Sequence, residues 1–306
     1  MKQCVEQLCQ ELMAQPRHEF NHKWQTKQYQ ALMQDTPNGW VVTTFDFAEN
    51  YRCDHQDQPQ SAYYGYQQVT LHPVVMVYKR PCCGEQVSDN AVFTSDNLDH
   101  SSHFVNCMTK MMFDHLKTTF GSSLKKVIIF SDGCCSQYKS KIPFFYLSQL
   151  TSGPAIEHCY FGSRHGKSLC DALGDTIKTA ARRAVKARQV VISSAAEMVE
   201  FCQRTLEQPV SATTDGTCVH RKRWFVELKN IKFKVKSSAA LKTLPGTRKI
   251  HSLRVESTGS LASRNLSCLW FLQDRTFWLV KTSHLLITGK LFQHHRSHFP
   301  TARKGI

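Results

Sequence analysis

The segment WVVTTFDF (residues 40–47) and the segment KVIIFSD (residues 126–132) are apolar, mostly β-branched or aromatic runs that reach an aspartate near their ends. Runs of this length and composition are typical of strands that are buried inside a sheet. They therefore predict two interior strands, the first ending at Asp46 and the second at Asp132.

The segments around these two runs predict further strands and helices. Strands are predicted at 67–78, 87–95 and 155–161, and helices at 101–120, at 168–188 and over most of the segment that leads to residue 150. The resulting order is β-β-β-α-β-α-β-α. This order predicts an α/β chain with a ribonuclease H-like mixed sheet flanked by helices. In the second strand, Pro73 predicts an edge position or a bulge, because proline cannot donate a ladder hydrogen bond.

Three regions differ in pattern. Residues 1–38 predict a helical lead-in that Pro16 interrupts, and residues 39–190 contain the α/β pattern. Residues 191–306 predict a helix, then a small basic β-rich C-terminal subdomain and a tail. Ser194, with Glu197 three residues later, predicts a capping box at the start of that helix.

Composition and charge limit the class of protein. Hydrophobic residues make up 41% of the 306 residues and charged residues 21%, which predicts a folded core and excludes global disorder. Residues 1–150 contain 13 Lys and Arg against 14 Asp and Glu, and residues 151–306 contain 26 against 10. The net charges are thus −1 and +16. This asymmetry predicts a polyanionic partner such as nucleic acid.

The sequence does not have the pattern of a membrane or a secreted protein. No stretch approaches the ~20 consecutive apolar residues that span a bilayer, and residues 1–14 carry Glu6 and Glu11, unlike a secretory signal. The 13 cysteines are odd in number and include adjacent pairs at 82–83 and 134–135. Reduced intracellular thiols are therefore predicted, with no disulfide framework and no structural zinc site.

Aspartates end two predicted strands and begin the last predicted helix. In the predicted fold the strands of Asp46 and Asp132 are neighbours, and the helix that begins near Asp171 packs beside them. The three carboxylates would then meet at one end of the sheet. Carboxylate oxygens suit Mg²⁺ or Mn²⁺, and a two-ion site is typical of phosphodiester chemistry. Each aspartate alone also fits a structural role, in a turn at 131–133 or in the first turn of a helix.

Five ordered segments resemble one family. They are DFAENY (46–51), QDQPQSAYY (56–64), QVTLHP (68–73), FSDGCCSQYKSK (130–141) and HGKSLCDALGDTIK (165–178). Together they resemble transposase-derived proteins of animal mobile elements, which have a ribonuclease H-like, DDE/D-type catalytic domain. The resemblance extends over about residues 20–270.

The resemblance implies a metal-dependent DNA nuclease and strand transferase that uses two Mg²⁺ or Mn²⁺ ions. Asp46 and Asp132 match the first two acids of the motif, and Asp171 is the best match for the third, with Asp175 as the alternative. Glu49 is a candidate accessory ligand. Two further accessory candidates near the scissile phosphate are His165 and Lys167.

Basic residues predict where DNA would bind. The candidates are Lys178, Arg182, Arg183, Lys186 and Arg188 on the last helix, and Arg221, Lys222 and Arg223 in the C-terminal region. The run at 220–223 also fits a nuclear import signal, so a nuclear location, or a cytoplasmic one with nuclear import, is expected. The sequence leaves the oligomeric state open, with a homo-oligomer as one option.

Two rival functions remain open. A domesticated or truncated protein on the same scaffold would bind DNA without cleaving it. A cysteine hydrolase would use Cys134, which follows a strand, with His165, which follows the next strand. No recognisable nucleophile-elbow motif accompanies Cys134, so the hydrolase is the weaker of the two alternatives.

Overall fold

The computed structural model describes residues 2–53, 67–151, 153–162, 169–207, 210–211, 219–229, 241, 244, 246–264 and 283–286. The α-helices are α1 (Lys2–Gln34), α2 (Ser102–Phe120), α3 (Lys141–Ser148), α4 (Leu169–Lys186) and α5 (Ala195–Leu206). The strands are β1 (Trp40–Phe45), β2 (Tyr51–Arg52), β3 (Gln68–Lys79), β4 (Gln86–Ser95), β5 (Lys126–Ser131), β6 (Ala155–Tyr160), β7 (Val210–Ser211), β8 (Val219–Glu227), β9 (Ser252–Ser257), β10 (Ser260–Arg264) and β11 (Ser283–Leu286).

These strands form one mixed sheet in an α/β fold. The order across the sheet is β11-β10-β9-β6-β5-β1-β3-β4-β8-β7, and β2 pairs with β3 beside this path. Strand β1 is antiparallel to β3 and parallel to β5, and β5 is parallel to β6. The predicted strands and helices between residues 39 and 190 are confirmed, with bounds that shift by a few residues, except that only α3 is helical in the segment before residue 150.

Helices cover both faces of the sheet because its central strands are apolar on both sides. On one face α2 and α3 bury Met108, Met112 and Phe144 against residues such as Val41 and Val127. On the other face α4 and α5 pack on the alternate residues of β3 and β4, while α1 packs over β1 and β5. The arrangement leaves the carboxyl ends of β1 and β5 accessible between the helical layers.

Pro73 lies in an interior strand, so the prediction of an edge strand or a bulge is wrong. Its strand, β3, has β1 on one side and β4 on the other. The carbonyl of Pro73 accepts a hydrogen bond from the N–H of Asp46 at 3.4 Å, but the proline ring cannot donate one in return. The β1–β3 ladder accordingly ends at the preceding pair, Phe45 with Val74, and the chain leaves β1 at Asp46.

Two predictions about helices have different outcomes. Pro16 does not interrupt the first helix, since α1 continues through it from Lys2 to Gln34. A proline removes one backbone hydrogen bond, and the residues on both sides stay helical here. The predicted cap of α5 is confirmed, because the hydroxyl of Ser194 accepts from the N–H of Glu197 at 3.3 Å. The Glu197 carboxylate accepts hydrogen bonds from the N–H and the hydroxyl of Ser193, both at 2.6 Å.

Strands from the C-terminal region extend the same sheet at both edges. Strand β8 pairs in parallel with β4, and β9 pairs antiparallel with β6. These strands cover the two edges that β4 and β6 would otherwise expose, so the described part of residues 191–306 adds to the central sheet. Of the predicted basic β-rich subdomain, residues 212–218 and 230–240 lie outside the described residues. Of the helices that the structure describes, none has both the length and the apolar character needed to span a membrane.

Candidate active site

Asp46 and Asp132 follow two neighbouring parallel strands at the same level. The register of β1 and β5 pairs Thr44 with Phe130, and each aspartate lies two residues beyond its paired residue. Neighbouring strands lie about 4.8 Å apart. The structure therefore brings these two predicted acids to one end of the sheet, on adjacent strands.

Burial and mutual repulsion keep the Asp46 carboxyl from ionising in its usual range. Burial raises its pKa, the nearby Asp132 raises it further, and Asp171 adds a smaller effect of the same sign. A hydrogen bond from the N–H of Phe47 to Oδ1 of Asp46, at 2.8 Å, opposes the rise. The resulting pKa is about 7. Such a group needs a nearby cation to be fully ionised at neutral pH.

Burial also raises the pKa of Asp132, but a lysine of the protein, Lys139, lies near this carboxyl group. Burial raises its pKa, while the N–H of Cys134, which donates to Oδ1 at 3.0 Å, and the ammonium of Lys139 both lower it. Lys139 is itself buried, and its Nζ donates to the carbonyl of Arg248 at 3.3 Å. Burial lowers the pKa of Lys139 to about 8, against the influence of Cys135 and Asp132. Lys139 thus supplies part of the charge that the acid pair needs.

Asp171 reaches this site because α4 packs closely on the end of β1. The thiol of Cys170 donates to the carbonyl of Thr44 at 3.2 Å, and a Cβ placed on Gly174 would lie 2.8 Å from Cβ of Ala48. The close approach places the exposed Asp171, in the first turn of α4, near enough to act on Asp46.

Glu49 and Asp175 lie together at the margin of the site. The Nζ of Lys178 is 3.2 Å from Oδ1 of Asp175 and 3.8 Å from Oε2 of Glu49. Both acids are largely exposed, whereas Lys178 is buried between them. Of the two candidates for the third acid, Asp171 acts on Asp46, whereas Asp175 pairs with a lysine. The Lys178–Glu49 pair joins α4 to the loop after β1, whereas the Lys178–Asp175 pair lies within the helix.

The candidate site offers two carboxylate side chains, Asp46 and Asp132, as possible ligands of a divalent cation, with Asp171 nearby. Within the described ranges, no three His, Cys, Asp or Glu side chains are clustered closely enough to hold a metal ion. Asp46 and Asp132, however, are hard oxygen donors on adjacent strands that repel each other, which is the donor chemistry that Mg²⁺ and Mn²⁺ require. Asp46 and Asp132 therefore offer two oxygen-donor side chains, and the described residues do not group a third donor with them.

A buried hydrogen-bond network supports the loop that carries Asp132. The hydroxyl of Tyr138 is joined to Nε2 of His72, on β3, at 3.0 Å, and Tyr160 Oη, on β6, donates to the carbonyl of Tyr138 at 3.2 Å. Burial lowers the pKa of His72 to about 3, so its ring is neutral. This network and Lys139 were missed by sequence reasoning. Their one signal is that Tyr138 and Lys139 lie in the segment FSDGCCSQYKSK, which follows β5.

The basic residues predicted on the last helix separate into two groups. Arg182, Arg183, Lys186 and Arg188 are exposed, along or just beyond α4. Lys178 is buried in its contacts with acids, so it differs from the exposed phosphate contact that was predicted. The exposed basic residues on the helix itself lie progressively farther from Asp171 along its axis, since each helical residue advances the chain by about 1.5 Å.

The predicted basic residues of the C-terminal region do not meet the acids. Register pairs align Arg223 on β8 with Asn90 on β4, Val75 on β3 and Thr44 on β1. Three strand spacings, about 14 Å, therefore separate Arg223 from β1. Arg221 and Lys222 precede it on the same strand and are level with the middle of β1.

Other predicted residues lie outside the described ranges. His165 and Lys167 fall in the segment 163–168, and the segment at 56–64 falls within 54–66. The structure consequently places only one half of the proposed cysteine hydrolase pair, Cys134, whose Sγ is 3.2 Å from Oγ of Ser136.

One family model matches the chain. It is described as a "Domain of unknown function (DUF8701)" and matches residues 25–267, which is more than three quarters of the sequence. The chain therefore belongs to this family. A search of curated proteins found no match. The matched region contains all of the acids at the ends of β1 and β5 and on α4.

Proposed function

We propose that this member of the DUF8701 family is a metal-dependent DNA nuclease and strand transferase of the DDE/D type. The observation that carries the proposal is the pairing of Asp46 with Asp132. The two carboxylates follow adjacent parallel strands at the same level, and the charge of Asp132 raises the pKa of Asp46. A pair of acids held so closely is destabilising without a cation, so the arrangement is best explained by a cation that binds there.

The strand order supports a ribonuclease H-like fold as part of the proposal. The strands β4, β3, β1, β5 and β6 lie in this order, with the first three antiparallel and the last three parallel. This is the order in which the first and fourth predicted strands become neighbours. Asp46 and Asp132 follow neighbouring strands in this order, and the resemblance to transposase-derived proteins predicts the first two acids of its motif at such positions.

Each acid has a distinct role in the proposed site. Asp46 and Asp132 would hold Mg²⁺ or Mn²⁺, and Asp171 would join them from α4. Bound ions of this kind lower the pKa of an attacking water or hydroxyl and stabilise the leaving oxygen of a phosphodiester. Asp46 would release a proton from its carboxyl group when an ion binds, because its pKa is about 7 in the metal-free site. Lys139 would oppose the effect of burial on Asp132 and favour its ionised form.

DNA would approach along the exposed part of α4. Arg182, Arg183, Lys186 and Arg188 offer charges suited to a phosphate backbone. Binding through such contacts should weaken as salt concentration rises, since each neutralised phosphate releases counterions. The nuclear location expected from residues 220–223 belongs to the same proposal.

A cleavage assay tests the activity. Purified protein should nick supercoiled and linear DNA with Mg²⁺ or Mn²⁺ and should be inactive in EDTA. Ca²⁺ should support binding with little cleavage, because its coordination is looser. Asp132→Asn keeps the shape of the side chain but removes a ligand charge, so cleavage should fall by at least ~100-fold while DNA binding persists.

A matched variant controls for general effects of charge. Asp114 is exposed on α2, away from the acid pair, and Asp114→Asn should cleave as the wild type does. Calorimetric titration with Mn²⁺ provides a readout besides activity, with binding by the wild type and none by Asp46→Asn. Cleavage that survives Asp132→Asn would contradict the assignment of the site.

The second candidate is a DNA-binding protein without catalytic activity on the same scaffold. It is favoured by the lack, within the described residues, of three side chains already grouped as metal ligands. Such a protein would bind DNA equally with Mg²⁺ and with EDTA. It would not nick supercoiled or pre-nicked DNA at any Mn²⁺ concentration, and Asp132→Asn would leave its DNA affinity unchanged.

A further inference from the structure

A polar cleft with a volume of about 540 Å³ lies beside the acid pair. Its walls come from the loop after β1 with strand β2, from the start of β3, from the loop before α2 and from α4. The lining residues are Glu49, Asn50, Arg52, Gln68, His100 and Arg182. Its volume lies within the range of about 300–1,000 Å³ that is common for small-ligand pockets.

Backbone pairing gives the cleft a fixed wall. Arg52 on β2 pairs with Gln68 on β3, and the N–H of Cys53 donates to the carbonyl of Gln67 at 2.9 Å. The N–H of Ala48 donates to the carbonyl of Leu71 at 3.0 Å. The side chains of Arg52 and Gln68 therefore extend from paired backbone, which limits how far they can move.

Helix α4 forms the opposite wall. Ala48 contacts the helix at Gly174, and Lys178 joins the helix to Glu49 at 3.8 Å. Arg182 lies one helical turn after Lys178, on the same side of the helix. The contacts that hold α4 against the end of β1 thus also bring Arg182 to the cleft.

A continuous series of side-chain contacts connects the cleft to the acid pair. Phe47, whose N–H donates to Asp46, stacks its ring on His100 with 4.3 Å between centroids and an angle of 10°. Nε2 of His100 lies 2.9 Å from Oδ1 of Asn50. The Nδ2 group of Asn50 donates to Oε1 of Gln68 at 3.4 Å. Phe47 and His100 therefore connect the wall of the cleft to Asp46.

The chemistry of the lining fits a nucleotide. Two arginine guanidinium groups are suited to a phosphate, since a guanidinium can donate two parallel hydrogen bonds to its oxygens. The amides of Asn50 and Gln68 both donate and accept, which is how side chains distinguish base edges. The acid in the lining is Glu49, and its Oε2 lies 3.8 Å from the Nζ of Lys178, which offsets its negative charge.

His100 adds no positive charge to the cleft at neutral pH. Burial lowers its pKa, although the nearby Asp99 acts in the opposite direction. The positive charge that faces a phosphate therefore comes from Arg52 and Arg182, while His100 holds Asn50 in place through its 2.9 Å contact.

On these grounds we propose that the cleft binds the DNA nucleotide next to the scissile phosphate and gives the protein a preference for one base there. Arg52 and Arg182 contact the flanking phosphates, and Asn50 with Gln68 contacts the base edge. This inference rests on the proposed function, because it takes the acid pair as the place of cleavage. It identifies Arg52, Asn50 and Gln68 as binding residues, and His100 as a positioning residue, that the sequence analysis did not predict.

Binding measurements without cleavage test the proposal. The probe is a fluorescein-labelled 30-bp DNA with a central nick and randomised bases on both sides of it, in Ca²⁺ buffer. We expect Arg52→Ala and Arg182→Ala each to weaken binding by about 5–10-fold and to lower the slope of log affinity against log salt by about one. We expect Asn50→Ala and Gln68→Ala to keep the salt slope, and to reduce the base preference at one position by about 5-fold or more.

Lys117→Ala is the matched control for the loss of one positive charge. Lys117 is exposed on α2, which packs on the opposite face of the sheet from α4. The control should bind with the affinity and base preference of the wild type. Urea denaturation of Arg52→Ala, Arg182→Ala and Lys117→Ala should show an unchanged midpoint, since these three residues are exposed.

The outcomes separate this inference from the proposed function. One outcome is that the wild type cleaves DNA in a metal-dependent way while Arg52→Ala and Arg182→Ala bind DNA as tightly as the control Lys117→Ala. That result would overturn the cleft assignment and leave the proposed nuclease activity in place. Cleft-dependent binding without cleavage at any metal concentration would support the cleft and contradict the nuclease. Tighter cleft-dependent binding of an RNA strand of the same sequence would overturn the assignment of DNA as the occupant.

Discussion

Gly174 on α4 and Ala48 after β1 approach so closely that a Cβ added to Gly174 would lie 2.8 Å from the Cβ of Ala48. Pro73 is the next nearest contact, with its Cγ at 3.7 Å from that added atom. Separations below 3 Å between such carbons do not occur without movement of the backbone. The absence of a side chain at Gly174 is thus what lets α4 bring Asp171 to Asp46 and Arg182 to the cleft.

Gly174→Ala should destabilise the protein, against the usual trend. Inside a helix, Gly→Ala normally stabilises by about 1 kcal/mol. Here the new methyl group should push α4 away from Ala48, and we expect a net loss of about 1–3 kcal/mol of unfolding free energy. Urea denaturation measures this loss. Thr176→Ala, at an exposed position of the same helix, should change stability by less than ~0.5 kcal/mol.

Gly174→Ala should also weaken the site. If α4 moves away, Asp171 acts less on Asp46, so Mn²⁺ affinity should fall together with stability. A variant that is more stable than the wild type and binds Mn²⁺ equally well would contradict the role assigned to this contact.

Asp46→Asn should stabilise the metal-free protein at neutral pH. The folded pKa of Asp46 is raised to about 7 from a usual value near 4, so the folded state holds a proton more tightly than the unfolded state between these values. Wild-type stability should accordingly decrease as pH rises from about 4 to about 7. The variant lacks this decrease and should be more stable by on the order of 1–2 kcal/mol above pH 7.

Thermal unfolding from pH 4 to pH 8 in EDTA measures this difference. The advantage of Asp46→Asn should grow with pH and level off above about 7, and saturating Mn²⁺ should reverse it. An advantage that is constant over the whole range would show that Asp46 does not titrate in the raised range.

Asp89→Asn should have the opposite pH dependence. Asp89 is completely buried, and its carboxylate is 2.7 Å from Nε2 of His115 and accepts from Tyr78 at 2.9 Å and from Trp224 at 3.1 Å. Burial favours the neutral form, but the hydrogen bonds and charge of its partners outweigh it, so its pKa is lowered. The contribution of ionised Asp89 to the free energy of unfolding should therefore be present above pH 4 and be lost as pH falls below that value.

We expect Asp89→Asn to cost about 2–4 kcal/mol at neutral pH, because an amide cannot accept from all three donors. Guanidinium denaturation at pH 7 and pH 3 provides the measurement, with the exposed Asp114→Asn as a control that changes little. A loss of the same size at both pH values would contradict an ionised Asp89.

Tyr138→Phe should remove a buried hydrogen bond beneath the acids. The change leaves Nε2 of His72 without its 3.0 Å partner, which should cost about 1–3 kcal/mol. Tyr146→Phe is the matched control, since its hydroxyl contacts Nδ1 of His103 at 3.1 Å at a partly exposed place. We expect its cost to be less than half as large, as measured by urea denaturation. Equal costs would indicate that burial of the Tyr138–His72 pair adds nothing.

Much of the framework could be predicted from local patterns. The apolar runs at 40–47 and 126–132 indicated interior strands, and the N-cap at Ser194 was visible in four residues. The alternation of strands and helices predicted a mixed α/β sheet, which the structure has. Pro73 shows the limit, because its effect depends on which neighbour its missing N–H would have faced. That neighbour is β1, whose ladder ends there.

The sequence by itself determined which residue types end β1 and β5 and begin α4, since strand and helix periodicity are local properties of the chain. Only the tertiary structure decided that Asp46 and Asp132 lie level and that the charge of Asp132 raises the pKa of Asp46. The ionisation of Asp46 depends on its burial and on the charge of Asp132, which is 86 residues away in the sequence. A local sequence pattern contains neither piece of information. The same holds for Lys178, whose burial between two acids follows from the packing of α4 on Ala48.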